Sequence, residues 1–296
     1  MLLIPVKKQK INRKYFPFYS AYFLIIMVIV SFAFGCKSKL GKAVPYGKND
    51  AVGKYADVNG VKLYYEIYGE GDPLVLIHGN GGSISSGHEQ IAFFSKHYKV
   101  IALDSRGQGK SKDESDSLTY DAIAADVNGL LTTLKIDSAY IIGQSDGAIV
   151  GLITAFRFPS KVKMLAAMAP NIRPDSAVLY PKVEEQGEKD FARYEDSLKA
   201  GFKEVTSKLK LLRLMKYHPH ITPEELASIK VPVMIMCGDR DVIRLSHIIE
   251  IFRSIPKSNL CVLPGSTHGA LRKNPEVFNE TIYRFFTHPF QMPDSY

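Results

Sequence analysis

From Pro73 to Phe286 the sequence repeats one pattern, a short uninterrupted apolar run followed by a longer stretch of helical periodicity. The runs PLVLIHG, KVIALD, AYIIGQ, VKMLAAMAP, VPVMIMCG and NLCVLPG are too short for helices and lack apolar–polar alternation. Each therefore reads as a strand covered on both faces. Helices are predicted over residues 89–98, 120–134, 146–158, 243–255 and 275–286. Strands that alternate with helices pair in parallel through right-handed crossovers, which puts helices on both sides of one sheet. Ahead of this series, ADV and VKLYYEIYG flank Asn59-Gly60, a pair that tolerates the positive φ of a two-residue hairpin turn. The expected fold class is α/β with a mostly parallel central sheet. With 296 residues and 46% hydrophobic content, the chain can bury one substantial core.

Between Pro170 and Val231 the rhythm breaks. About sixty residues hold no convincing strand and read as charged helices, with apolar residues at helical spacing in Phe191, Tyr194, Leu198 and in Leu209, Leu212, Met215. Thr222-Pro223-Glu224-Glu225 marks a fresh helix start, with an N-cap residue and proline in the first turn. The expected organisation is a core from 54–170 and 231–290 with an inserted helical cap over 171–230. Tyr180, Phe191, Tyr194 and Phe202 could line an acyl pocket, but at helical spacing they are expected to pack that cap onto the core.

The net charge of +8 would suit an anionic partner, but five of the charges (Lys7, Lys8, Lys10, Arg13, Lys14) precede the apolar run Ala21–Phe34, and removing them leaves +3. No basic stripe remains on the folded part, which argues against nucleic-acid binding. The apolar run is shorter than a spanning helix needs and fits the hydrophobic region of a secretory signal, residues 1–35. Ala33-Phe34-Gly35-Cys36 resembles a bacterial lipoprotein cleavage site, although Ala33 stands where leucine is usual and Phe34 where a small residue is usual. The favoured expectation is lipidation at Cys36; the competing one is an uncleaved anchor extended back to Tyr15. Either arrangement leaves the folded part outside the cytoplasm, membrane-tethered, because positive charge stays inside. Residues 36–53, polar and rich in lysine, read as the tether. Cys237 and Cys261 fall in strands, have no CxxC spacing, and are expected to be buried thiols, with a disulfide between them the alternative in an exported protein.

Four clusters carry chemistry. Gly143-Gln144-Ser145-Asp146-Gly147 lies where a strand passes directly into a helix. A pattern Gly-x-Ser-x-Gly occurs by chance in roughly one chain of this length in ten, so its place at that junction is what counts. A serine there sits on a sharp, strained turn, and the helix start behind it offers free N–H groups to a developing anion. His78-Gly79-Asn80-Gly81-Gly82 follows a strand and lacks the spacing of either phosphate-binding glycine motif. Gly238-Asp239-Arg240-Asp241 ends a strand, and Gly265-Ser266-Thr267-His268-Gly269 follows the last one. His218 and His220 alone do not make a metal site, and His88, His97 and His247 lie in predicted helices without a role. No metal or cofactor is implied.

Together with Asp104–Ser111 (DSRGQGKS), these clusters resemble the α/β-hydrolase family over essentially everything from Val58 to Phe286, in the chain order Ser, Asp, His. The resemblance implies Ser145 as nucleophile, His268 as base and Asp241, preferred over Asp239, as the acid that orients the base. It implies an oxyanion hole from the backbone N–H groups of Asn80 and Asp146. The Asp146 carboxylate is awkward beside that hole and is tolerable if its side chain turns away along the first helical turn, where the helix dipole favours it. The implied function is hydrolysis of a small carboxylic ester, lactone or related acyl substrate, most like the small-substrate esterase and lactonase branch. Acyl transfer, peroxide chemistry, C–C hydrolysis or a non-catalytic ligand-binding role on the same fold are the alternatives. Ser145 disfavours haloalkane dehalogenase and epoxide hydrolase activity, which place aspartate at that position.

Overall fold

The computed structural model describes residues 44–288. The segment Ala21–Phe34, its basic flank and Cys36 lie outside the described residues. Among the described residues no helix is long and apolar enough to cross a membrane.

The strands are β1 (Lys54–Val58), β2 (Val61–Tyr68), β3 (Pro73–Ile77), β4 (Lys99–Leu103), β5 (Ala139–Gln144), β6 (Val162–Met168), β7 (Val233–Gly238) and β8 (Ser258–Leu263). They form one eight-stranded sheet in the order β1-β2-β4-β3-β5-β6-β7-β8. β2 pairs antiparallel with β1 and β4, and every other pair is parallel. The expected hairpin turn forms at Asn59 and Gly60, with φ of 44° and 81°. The apolar runs of β3, β5 and β7 are buried along almost their whole length, as strands covered on both faces must be. β8 departs from the expected pattern. It is the edge strand, and Leu260 and Val262 remain exposed because no further element covers it there.

The helices of the core are α1 (His88–Phe94), α2 (Tyr120–Thr133) and α3 (Asp146–Arg157) before the cap, and α7 (Leu245–Ser254), α8 (Ala270–Lys273) and α9 (Pro275–Thr287) after it. α1 stops four residues short of its predicted end. Both His97 and Tyr98 donate back to the Phe94 carbonyl, and this turn delivers the chain to β4 at Lys99. Between β6 and β7 lie α4 (Pro181–Lys199), α5 (Thr206–Tyr217) and α6 (Pro223–Ala227). Thr222 caps α6 and forms a capping box with Glu225, the arrangement its sequence suggested.

The two long cap helices are held differently. α5 buries Leu209, Lys210, Leu211 and Leu214, and Lys210 Nζ donates to the Asp113 carboxylate at 2.7 Å and the Ser115 carbonyl at 2.8 Å. α4 buries only Phe191. Of the four aromatics expected to seat the cap, Phe191 is buried and Tyr194 half-buried, whereas Tyr180 and Phe202 are exposed. They flank α4 on either side, where the Tyr180 ring meets the Arg244 guanidinium and neither ring is buried.

Two further expectations change. Residues 45–53 do not continue the tether; the buried Glu66 carboxylate accepts from the N–H groups of Gly47 (2.7 Å) and Asn49 (3.1 Å) and fastens this stretch to β2. Cys237 is buried, and burial pushes its thiol up to about 12, but Cys261 on edge strand β8 is only half-buried. Both thiols are free.

Candidate active site

Ser145 sits between the last residue of β5 and the first of α3 with φ 53° and ψ −116°, a left-handed conformation rare for a non-glycine residue. The turn is held by backbone bonds: Ser145 N–H donates to the Met168 carbonyl at 2.8 Å, and the Ser145 carbonyl accepts from Ala148 and Ile149 at 2.8 and 3.0 Å. The flanking glycines are needed for space. A Cβ at Gly143 would lie 2.1 Å from the Gly147 carbonyl oxygen, and one at Gly147 would lie 2.2 Å from that of Ile77. The strand can therefore pass into the helix within a single residue only with glycine on each side.

The parallel pairing of β7 with β8 brings together the loops that follow them. Arg240 N–H donates to the Ser266 carbonyl at 2.9 Å, and the Asp239 carboxylate accepts from Ser266 N–H at 3.1 Å. Asp239 thus braces the loop, and Asp241 meets the histidine: His268 Nδ1 and Asp241 Oδ1 are 2.7 Å apart. Asp241 is buried and also accepts from the backbone of Gly238 (3.3 Å) and Ile243 (3.2 Å). Burial alone would raise its pKa, but the bond to His268 and these backbone donors outweigh it and hold the carboxyl below its ordinary range.

β3 neighbours β5, so the turn His78–Gly82 lies against the elbow at Ser145. His78 is buried and its pKa is lowered by that burial; its Nε2 accepts from Ser105 N–H at 3.0 Å, a structural tie within the fold. Gln108 Oε1 accepts from Gly81 N–H at 2.6 Å, so the DSRGQGKS loop supports the turn from behind. The backbone N–H groups of Asn80 and Asp146 donate to no protein group among the described residues.

The Asp146 side chain does not turn out along the helix. It is buried, and its carboxylate accepts from Asn80 Nδ2 at 2.8 Å and from the Tyr120 hydroxyl at 2.9 Å. Asn80 Nδ2 also reaches the Leu211 carbonyl on α5 at 3.3 Å, which ties elbow, glycine turn and cap together. Burial is the largest influence on Asp146 and raises its pKa to about 6, against the two donors and the nearby His268. A buried group with a raised pKa adds stability below its ordinary value of 3.8 and loses that contribution as pH climbs through 6. An Asp146→Asn variant, neutral throughout, is expected to gain on wild type by up to about 3 kcal/mol between pH 4 and pH 7. Denaturant melts at the two pH values test this; a stability gap that does not change with pH would show that the carboxyl titrates normally.

Ser145, Asp146, Tyr120 and His268 border a cavity of about 300 Å³ between the sheet ends and the cap. Its walls include Leu179, Phe191, Leu212, Met215, Val242 and Ile243. No hydrogen bond joins Ser145 Oγ to His268, a contact that commonly closes only with substrate bound. Asn80, Tyr120 and Gln108 take their places through side chains that carry no local sequence signal. His218 and His220 lie away from this cavity, and no cluster of three His, Cys, Asp or Glu suited to a metal occurs among the described residues.

Comparison with known proteins agrees with this architecture. A family model described as alpha/beta hydrolase fold matches residues 72–220. A human serine hydrolase is 25% identical over 270 residues, covering 83% of this chain and 90% of that protein. Among solved structures, the enol-lactonase of Burkholderia xenovorans LB400 superposes with a TM-score of 0.66 at 24% identity, over 79% of this chain and 100% of that one. A meta-cleavage product hydrolase of Pseudomonas fluorescens IP01 gives 0.65 at 24%, over 79% and 97%. A model match across half the chain, on a sheet of this order, makes the protein a member of the alpha/beta hydrolase fold family and a hydrolase.

Proposed function

We propose that this hydrolase cleaves a small carboxylic ester, lactone or related acyl substrate through an acyl-enzyme on Ser145. The observation that carries the reading is the 2.7 Å His268–Asp241 pair opening onto the same cavity as the strained Ser145. Asp241 accepts the Nδ1 proton of His268, which leaves Nε2 free to take the Ser145 proton as Oγ attacks the acyl carbon. The N–H groups of Asn80 and Asp146 are free to receive the oxyanion, where one donor contributes about 3–4 kcal/mol to transition-state stabilisation. His268 then passes its proton to the leaving oxygen, and water activated by the same ring releases the acid. An Asp146 that is neutral on the acid side of about pH 6 lessens the repulsion that a fixed carboxylate would exert on the oxyanion. A cavity of about 300 Å³ suits a small substrate. Acyl transfer, peroxide chemistry and C–C hydrolysis would use the same groups, and a panel of esters, lactones and diketones separates them.

The test is reaction of the folded protein with a fluorophosphonate, followed by mapping of the modified peptide. A stable adduct on Ser145 is expected, and folded protein that takes up no label would sink the reading. We also propose, from the basic flank, the apolar run and Cys36 alone, that the enzyme is exported and tethered to the membrane by a lipid on Cys36. Metabolic palmitate labelling should mark wild type and not Cys36→Ser; an unlabelled wild type would rule out the lipid.

A further inference from the structure

The cap wall of the cavity contains a glycine that the fold does not require. On α4 the residues bordering the cavity are Val183, Glu184, Gly187, Glu188 and Phe191, spaced one turn apart along a single face, with Gly187 at the centre. Apart from proline, glycine is the least favourable residue in a helix interior. Its usual justifications fail here. Gly187 is not among the residues with positive φ, and a Cβ built on it meets no atom within 4 Å. Neither backbone conformation nor packing excludes a side chain. The cost is borne, moreover, on a helix that buries only one residue, Phe191, and therefore has little core packing to offset it.

Gly187 is exposed, so the missing side chain leaves open space at the solvent-facing rim of the cavity. Val183 and Phe191 stand one turn to either side, and Leu212 and Met215 of α5 also line the cavity. Glu184 and Glu188 share the stripe, and Glu188 pairs with Lys216. Arg173 and Lys216 also line the cavity but are paired, the first with Glu250 and Asp175 and the second with Glu188, so the apolar wall beside these ion pairs suits an uncharged hydrocarbon chain.

We propose that Gly187 is a specificity-determining residue: the space above it is the solvent-side opening of the cavity, and it sets how long an uncharged acyl chain can extend out past the cap. This rests on the reading of Ser145 as nucleophile. A side chain at 187 fills that opening from the cap side without touching the elbow, the His268–Asp241 pair or the glycine turn. A long acyl chain would then meet that side chain, whereas a short one would not reach it.

The experiment compares wild type, Gly187→Ala, Gly187→Leu and Gln186→Leu, the last on a neighbouring position that is equally exposed but does not border the cavity. Each is assayed with p-nitrophenyl esters from acetate to decanoate and labelled with a fluorophosphonate. The ratio of kcat/KM for decanoate to that for acetate is expected to fall a few-fold in Gly187→Ala and about tenfold or more in Gly187→Leu. Gln186→Leu should keep the wild-type ratio. Equal ratios in wild type and a Gly187→Leu protein that still labels would overturn the assignment, and so would an equal fall in Gln186→Leu. A uniform loss on every ester in Gly187→Ala would point to helix flexibility and overturn it too. The underlying reading fails separately, by a wild type that neither labels nor cleaves any ester.

Discussion

Ser145→Ala is expected to lower kcat on ester substrates by about a millionfold, the loss seen when a serine nucleophile of this kind is removed. Fluorophosphonate labelling should disappear with it. The fold should persist, because the elbow is held by the backbone of residue 145 and its hydroxyl makes no hydrogen bond whose loss would be felt. The unusual φ of 53° is a property of the junction, enforced by Gly143 and Gly147 and by the bond to Met168. Alanine occupies that conformation at a cost close to that of serine. Melting temperature measured beside the kinetics separates lost chemistry from lost structure. A variant that folds, melts like wild type and still turns over esters at a comparable rate would remove Ser145 from the mechanism.

Asp241→Ala should lower kcat by about ten-thousandfold. Without the carboxylate, His268 loses the partner that fixes which ring nitrogen faces Ser145 and that stabilises the imidazolium formed during attack. This variant should also lose stability, since the N–H groups of Gly238 and Ile243 are left without their acceptor at a cost of about 1–3 kcal/mol each. Kinetics are therefore to be measured well below its melting transition. Asp239→Ala is the control. Its carboxylate holds only the Ser266 N–H, so its effect on kcat should stay within about tenfold, in keeping with a positioning contact one step removed. Comparable losses in the two variants would mean that the acid had been assigned to the wrong residue of the pair.

Much of the fold was legible because its signals are local. Uninterrupted apolar runs mark strands covered on both sides, Asn59-Gly60 marks a hairpin, and Thr222-Pro223 with Glu225 marks a helix start. The edge position of β8 was not legible. NLCVL has the composition of a central strand, and only the sheet order shows that Leu260 and Val262 face water. The aromatics flanking α4 misled for a related reason: helical spacing shows which face residues share, not whether that face is buried.

The sequence by itself determined the class of the sheet, the position of Ser145 at a strand-to-helix junction, and the order in which Asp241 and His268 follow it. Each of these depends on neighbours within a few positions, where steric limits and periodicity act. The tertiary structure supplied the 2.7 Å contact of His268 with Asp241, the residue that the family resemblance already favoured over Asp239. It decided that Asp146 is buried between Asn80 and Tyr120, and that Gly187 faces the cavity bordered by Ser145. Those relations join residues brought together by parallel crossovers and by an insertion folding back over the sheet ends. Contacts of that kind leave no trace in local spacing, because their distance is set by strand order and not by the chain between them.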